Sequence, residues 1–182
     1  GTGACKGPIE SGAESADPAL VLARFFDPSY PTGNAFSLLD AARILARGSD
    51  LSAKLALLGD HASAVGGGSG ALILIHDADA QVLTDADGKL LLSVRPEAAP
   101  ALAEAIRDRR PIWSIVADPP AVGIFAGGSR QAVVPLVVED ELGSSVEGML
   151  LLATDDTGPD EATREILGAV ADLGAVAIRQ AR

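Results

Sequence analysis

Aromatic residues, cysteine, histidine and positive charge are all scarce in this chain. Phe, Trp and Tyr make up 3% of its 182 residues, so its core must be built from small and branched side chains. Any pocket enclosed by such a core has few aromatic walls. Cys5 is the only cysteine, which excludes a disulfide within the monomer and fits a reducing, cytoplasmic setting. His61 and His76 are the only histidines and offer no cluster for zinc. Fourteen Lys and Arg stand against 25 Asp and Glu, giving a formal net charge of -11. That field repels nucleic acid and anionic membrane, so neither is an expected partner. No apolar run approaches the ~18 residues of a membrane-spanning helix. The opening Gly1-Thr2-Gly3-Ala4-Cys5 lacks a methionine and an apolar h-region, and reads as a fragment or processed chain rather than a signal peptide.

What is present is a hydrophobic content of 48%, enough for one domain with a sizeable core. Residues 1–35 read as a tail or linker, with a candidate short helix over Pro18–Phe26 that Asp27-Pro28-Ser29-Tyr30-Pro31 breaks. The domain proper is expected over residues 36–182. Ser37 is placed to cap a helix carrying Leu38, Leu39, Ala42 and Leu45, and Gly48-Ser49-Asp50 ends or jogs it before Leu51–Val65. Ala71–His76 is a continuous apolar run of strand length. Strands are also expected at Gln81–Thr84 and Lys89–Val94, around the Asp85-Ala86-Asp87-Gly88 turn. A helix over Pro96–Arg110 and a strand over Ile112–Val116 follow. Ala132–Val138 and Gly148–Ala153 form two apolar strands around an acidic turn at Glu139–Gly143. The last helix begins with Pro159 just inside its start and carries Ile166, Val170, Leu173 and Ala177 as a stripe. Hairpin-length connections imply antiparallel neighbours, so the expected class is α+β: a central, mostly antiparallel sheet with flanking helices.

Chemical motifs are sparse. Gly66–Gly70 precedes its strand and follows a helix, the reverse of a phosphate loop. Asp77, Asp79, Asp85 and Asp87 lack the spacing of a calcium loop and read as turn carboxylates, so no metal site is expected. No Gly-x-Ser-x-Gly elbow follows a strand, and Cys5 in the tail makes no credible pair with histidine. No catalytic residue can be named and an enzyme is not expected. The lone Trp113 opens a Pro- and Gly-rich stretch between two strands, where it is either a core plug or the wall of a ligand cleft.

The ordered set of motifs resembles a GAF domain, the small-molecule-sensing and dimerising module of signalling proteins. The resemblance runs from about Phe36 to Arg182. It rests on Leu38–Leu51 with its Ser-Asp-Leu break, the strand Ala71–Asp77, the turn at 85–88 and the junction Ala105–Ile112. Val133-Val134-Pro135-Leu136, Glu147–Leu152 and the closing helix Ile166–Ile178 complete it. It implies an antiparallel sheet of about six strands, a pocket covered by loops and helices, and terminal helices that form a dimer bundle. Thr157-Gly158-Pro159-Asp160-Glu161 keeps the Asp-Glu of the cyclic-nucleotide branch without its Phe. Cys5 is misplaced for the bilin branch, and the domain lacks the cysteines of the free-methionine-sulfoxide reductase branch. The cofactor therefore stays unassigned. The expected function is a sensor that binds a small molecule and biases its terminal helices toward an output domain or protein partner. Trp113, Asp118, Phe125 and Arg130 are the candidate ligand-binding residues, with His76 nearby. The alternative is a ligand-free dimerisation or protein-docking module.

Overall fold

The computed structural model describes Leu39, Ala42, Arg43, Leu45, Ala46 and residues 50–67, 70–116 and 130–182. Ser37 and the tail, with Cys5, lie outside these residues. The described helices are α1 (Leu51–Val65), α2 (Pro100–Asp108) and α3 (Glu161–Ala181). The strands are β1 (Ala71–Asp77), β2 (Val82–Thr84), β3 (Leu91–Ser93), β4 (Ile112–Val116), β5 (Arg130–Asp140) and β6 (Gly143–Thr154). They form one six-stranded sheet in the order β3-β2-β1-β6-β5-β4, and every neighbouring pair is antiparallel. No described helix is long and apolar enough to cross a membrane.

The central strands are apolar at successive positions because both faces of the sheet are covered. Ile73, Val134, Leu136, Leu150 and Leu152 meet α1 and α3 on one face, where Leu58, Leu167, Val170 and Ile178 are buried. Leu74, Val133, Met149 and Leu151 turn to the other face and pack with Leu83, Leu92 and Leu102. The period of two along each strand distributes one apolar run between two cores.

Local chemistry sets the element ends. Asp50 caps α1, its carboxylate accepting the Ala53 N–H at 2.7 Å. Asp85 holds the β2–β3 connection by accepting the N–H groups of Lys89 and Leu90, so β3 begins at Leu91 rather than at Lys89. The α2 helix starts at Pro100, four residues later than Pro96. Proline disfavours helical backbone in the residue before it, and Ala99 is non-helical at φ -144° and ψ 71°. Pro159 likewise falls before α3 rather than inside it, because Asp160 is the cap and accepts the Thr163 N–H at 2.8 Å.

Pro135 sits inside β5, a strand with neighbours on both sides. The pairing with β4 ends at Val133, so from there β5 is an edge on that side and tolerates a residue without an N–H. On the other side, the β5–β6 register shifts between Leu136 and Val137, where Gly148 faces Leu136 and Val146 faces Val137. Glu147 is the extra residue of this bulge, and bulges re-aim side chains.

Candidate functional site

The bulge turns Glu147 toward the C-terminal end of α3. Its carboxylate is 3% exposed and every oxygen is engaged. Oε1 accepts the Ser145 hydroxyl at 2.7 Å and Arg179 Nη1 at 2.9 Å. Oε2 accepts Arg182 Nη1 at 2.8 Å. Burial pushes the Glu147 carboxyl upward, but hydrogen bonds from Ser145 and Arg179 and the charges of Arg182 and Arg179 outweigh it, leaving the pKa below the ordinary value. Arg179 also donates to Asp140 at 2.6 Å, and Arg182 Nη2 donates to the His76 carbonyl at 2.8 Å. The last turn of α3 is thereby fastened to β5, β6 and β1 together.

His76 is buried at the end of β1. Its Nδ1 lies 3.1 Å from the Val146 carbonyl. A carbonyl only accepts, so Nδ1 carries the proton in that bond. Beside it opens a cleft of about 790 Å³, lined by His76, Asp77, Arg107, Arg109, Glu147 and Arg182 among others. Arg107 and Arg109 come from the end of α2, Arg109 in left-handed backbone at φ 54°. Arg107 pairs with Asp108 at 2.8 Å on an exposed surface, and Asp77 directs an oxygen onto the N–H groups of Asp79 and Ala80. Ser145, Glu147 and Arg182, which help fasten α3, are therefore also part of the cleft wall.

Of the five candidates from the sequence, the three that are described, His76, Trp113 and Arg130, lie apart. His76 lines the large cleft. Trp113 lies on the opposite, α3-covered face as a half-buried member of the core, with the Arg164 guanidinium 5.4 Å from its ring centroid. It also borders a smaller groove of about 290 Å³ with Pro135, Gly168 and Asp172, where burial raises the Asp172 carboxyl. Arg130 starts β5 opposite Thr154, donates to the Ser114 hydroxyl at 3.1 Å and stands 3.8 Å from Asp156. It is thus at the far end of the 12-residue β6 from Glu147. Asp118 and Phe125 lie outside the described residues. Sequence reasoning missed Glu147, Arg179 and Arg182. The available signal was a carboxylate abutting an apolar run at Glu147-Gly148, with two arginines, Arg179 and Arg182, directly after the apolar stretch 173–178 of the closing helix.

Comparison with known proteins places the architecture. No protein-family model matches the chain, and no curated protein does. Solved structures do. The chain is similar to the GAF domain of an Acinetobacter phosphoenolpyruvate-protein phosphotransferase, with 11% identity and a TM-score of 0.62 over 83% of this chain and 95% of that one. It is similar to a putative GAF sensor protein from Burkholderia vietnamiensis, with 16% identity and a TM-score of 0.60 over 86% and 96%. It is also similar to free methionine-R-sulfoxide reductase from Neisseria meningitidis, solved with its substrate, with 18% identity and a TM-score of 0.63 over 85% and 95%. The neighbours thus include sensors and an enzyme on one scaffold. An antiparallel six-stranded sheet between a two-helix layer and α2, matched along nearly the whole of these structures, gives this chain the GAF-like fold.

Proposed function

We propose that this chain is a sensory GAF-like domain that binds a small molecule in the cleft beside His76 and signals through α3. One observation carries the reading: Glu147 and Arg182 form an ion pair at 2.8 Å that fastens the helix end, and both line the cleft. A ligand there touches the fastening of the terminal helix directly, so occupancy can shift the population of helix arrangements. The domain is read as non-catalytic: its single cysteine, Cys5, precedes the GAF-like segment, and no nucleophile–base pair is evident among the described residues. A cytoplasmic location and a homodimer through the helix layer complete the proposal. The half-exposed Val176 and Leu57 on that layer support the dimer.

Native mass spectrometry of the purified chain tests the reading. Extra mass that disappears on denaturation supports it, and that compound should raise the melting temperature, because only a native-state binder stabilises by mass action. At a free concentration 100 times its Kd the gain is about 2.7 kcal/mol. A clean dimer with no added mass and no stabilising compound favours the docking-module alternative. The packed Leu74, Met149 and Leu151 on the α2 face are the feature that supports that second reading.

A further inference from the structure

The chemistry of the cleft goes beyond the presence of a ligand to its class. Three arginines, Arg107, Arg109 and Arg182, are among the residues that line it. Three carboxylates line it as well: Glu147 is already engaged by Arg179, Arg182 and Ser145, Asp77 accepts two backbone N–H groups, and Asp79 is exposed to water at the rim. The Arg182 side chain is 50% exposed while its partner Glu147 is 3% exposed. Nη1 of this guanidinium therefore meets a buried carboxylate and Nη2 the His76 carbonyl, while half of the side chain stays open to water.

We propose that the cleft takes a small anion bearing phosphate or carboxylate oxygens, and that this anion draws Arg182 from Glu147 and so loosens the end of α3. The step builds on the sensor reading above and specifies its ligand and its switch. Removing a partner from a buried charge is ordinarily prohibitive. Here Glu147 keeps Arg179 at 2.9 Å and the Ser145 hydroxyl at 2.7 Å, so its charge stays compensated when Arg182 leaves. Arg182 in turn exchanges one oxyanion for another, and planar guanidinium donors suit phosphate and carboxylate alike. Because the same guanidinium donates to the His76 carbonyl, its departure also breaks the hydrogen bond between the helix end and β1. Arg109 supplies positive charge at the end of α2 to hold the incoming anion, beside Arg107 and its partner Asp108.

The test is a titration of the full 182-residue chain with sodium pyrophosphate and, separately, sodium citrate, at constant ionic strength. Backbone amides, the arginine side-chain Nε–H signals and amide hydrogen exchange are followed by NMR. The expected result is saturable shifts at residues 76–79, at Arg107 and Arg109, and at the Arg182 Nε–H, with faster exchange over the last turns of α3 in the saturated protein. The stronger probe distinguishes a phosphate from a carboxylate ligand. Arg109→Gln should weaken binding about tenfold while leaving exchange in the free protein unchanged. Arg182→Gln should exchange faster without any probe and respond no further. If neither probe shifts these signals beyond sodium chloride, the anionic class is wrong. A neutral compound found by native mass spectrometry at the same residues would then leave the sensor reading standing. Saturable binding with an unmoved Arg182 Nε–H and unchanged helix exchange would overturn the switch.

Discussion

The two ends of β6 treat buried polar groups in opposite ways. At its start, Glu147 is almost fully buried and every oxygen is partnered, from the same strand and from α3. At its finish, the amide of Gln131, itself 1% exposed, and the buried hydroxyl of Thr154 meet no hydrogen-bond partner among the described residues. Gln131 pairs in register with Ala153, so both cases belong to one β5–β6 ladder. The contrast teaches that burial alone does not mark an anchor. A satisfied polar network ties elements together, whereas an unsatisfied one is a cost the fold carries.

Several substitutions separate the two ends. The largest effect is expected at Gly148, where a Cβ would run into the Leu74 backbone carbonyl and meet Ile178 Cδ1 at 3.0 Å. Gly148→Ala should lose about 3 kcal/mol in chemical denaturation, because a backbone oxygen cannot turn aside as a side chain can. A loss under about 1 kcal/mol would mean that β1 and β6 separate easily, and the anchored end is not rigid. Glu147→Ala comes next. It leaves Arg179 and Arg182 without their shared acceptor, and about 2 kcal/mol is expected, reduced by the exposure of both arginines.

Acid provides a milder probe of the same group. The folded Glu147 pKa is depressed, so its contribution to stability is complete above its ordinary value of 4.5 and is lost as pH falls through the folded value. Melting temperatures recorded from about pH 6 to about pH 3 should fall less steeply in Glu147→Gln than in the parent chain. Equal slopes would assign acid loss to other carboxylates. At the opposite end, Gln131→Leu should stabilise by about 1 kcal/mol, since an apolar side chain replaces an unpaired buried amide. Destabilisation of similar size would show that the amide has a partner in solution. The smallest effect is expected from Arg130→Gln. It removes a 3.8 Å pair to the exposed Asp156 and should cost about 0.5 kcal/mol at most.

The sheet was legible in the sequence because strands covered on both faces leave continuous apolar runs. Ala71–His76 and Ala132–Val138 announced themselves in that way. Helix α1 was legible through its periodicity over Leu51–Val65, whereas Asp50, read only as part of the break before it, is its cap. The start of α2 was displaced by Pro100, whose effect on Ala99 outweighed the permissive Pro96. The anchored end was not legible. Arg179 is 32 residues from Glu147 in sequence, and a bulge that re-aims one side chain leaves no mark on an alternating pattern. Trp113 attracted notice as the lone tryptophan, yet its contacts place it against α3 and Arg164. Scarcity of a residue type does not say which face of a strand it occupies.

Gly148 has a mechanical consequence. The β1 carbonyl of Leu74, the Leu136 side chain and Ile178 of α3 all crowd the space where its side chain would stand. Sheet and helix meet there with no compressible padding, so this one contact fixes how closely they can approach. From Ile178 back to Glu161, α3 runs about 25 Å with Ile166, Leu167, Val170 and Ala171 buried along it, and the spacing set at Gly148 is the depth at which that whole row seats.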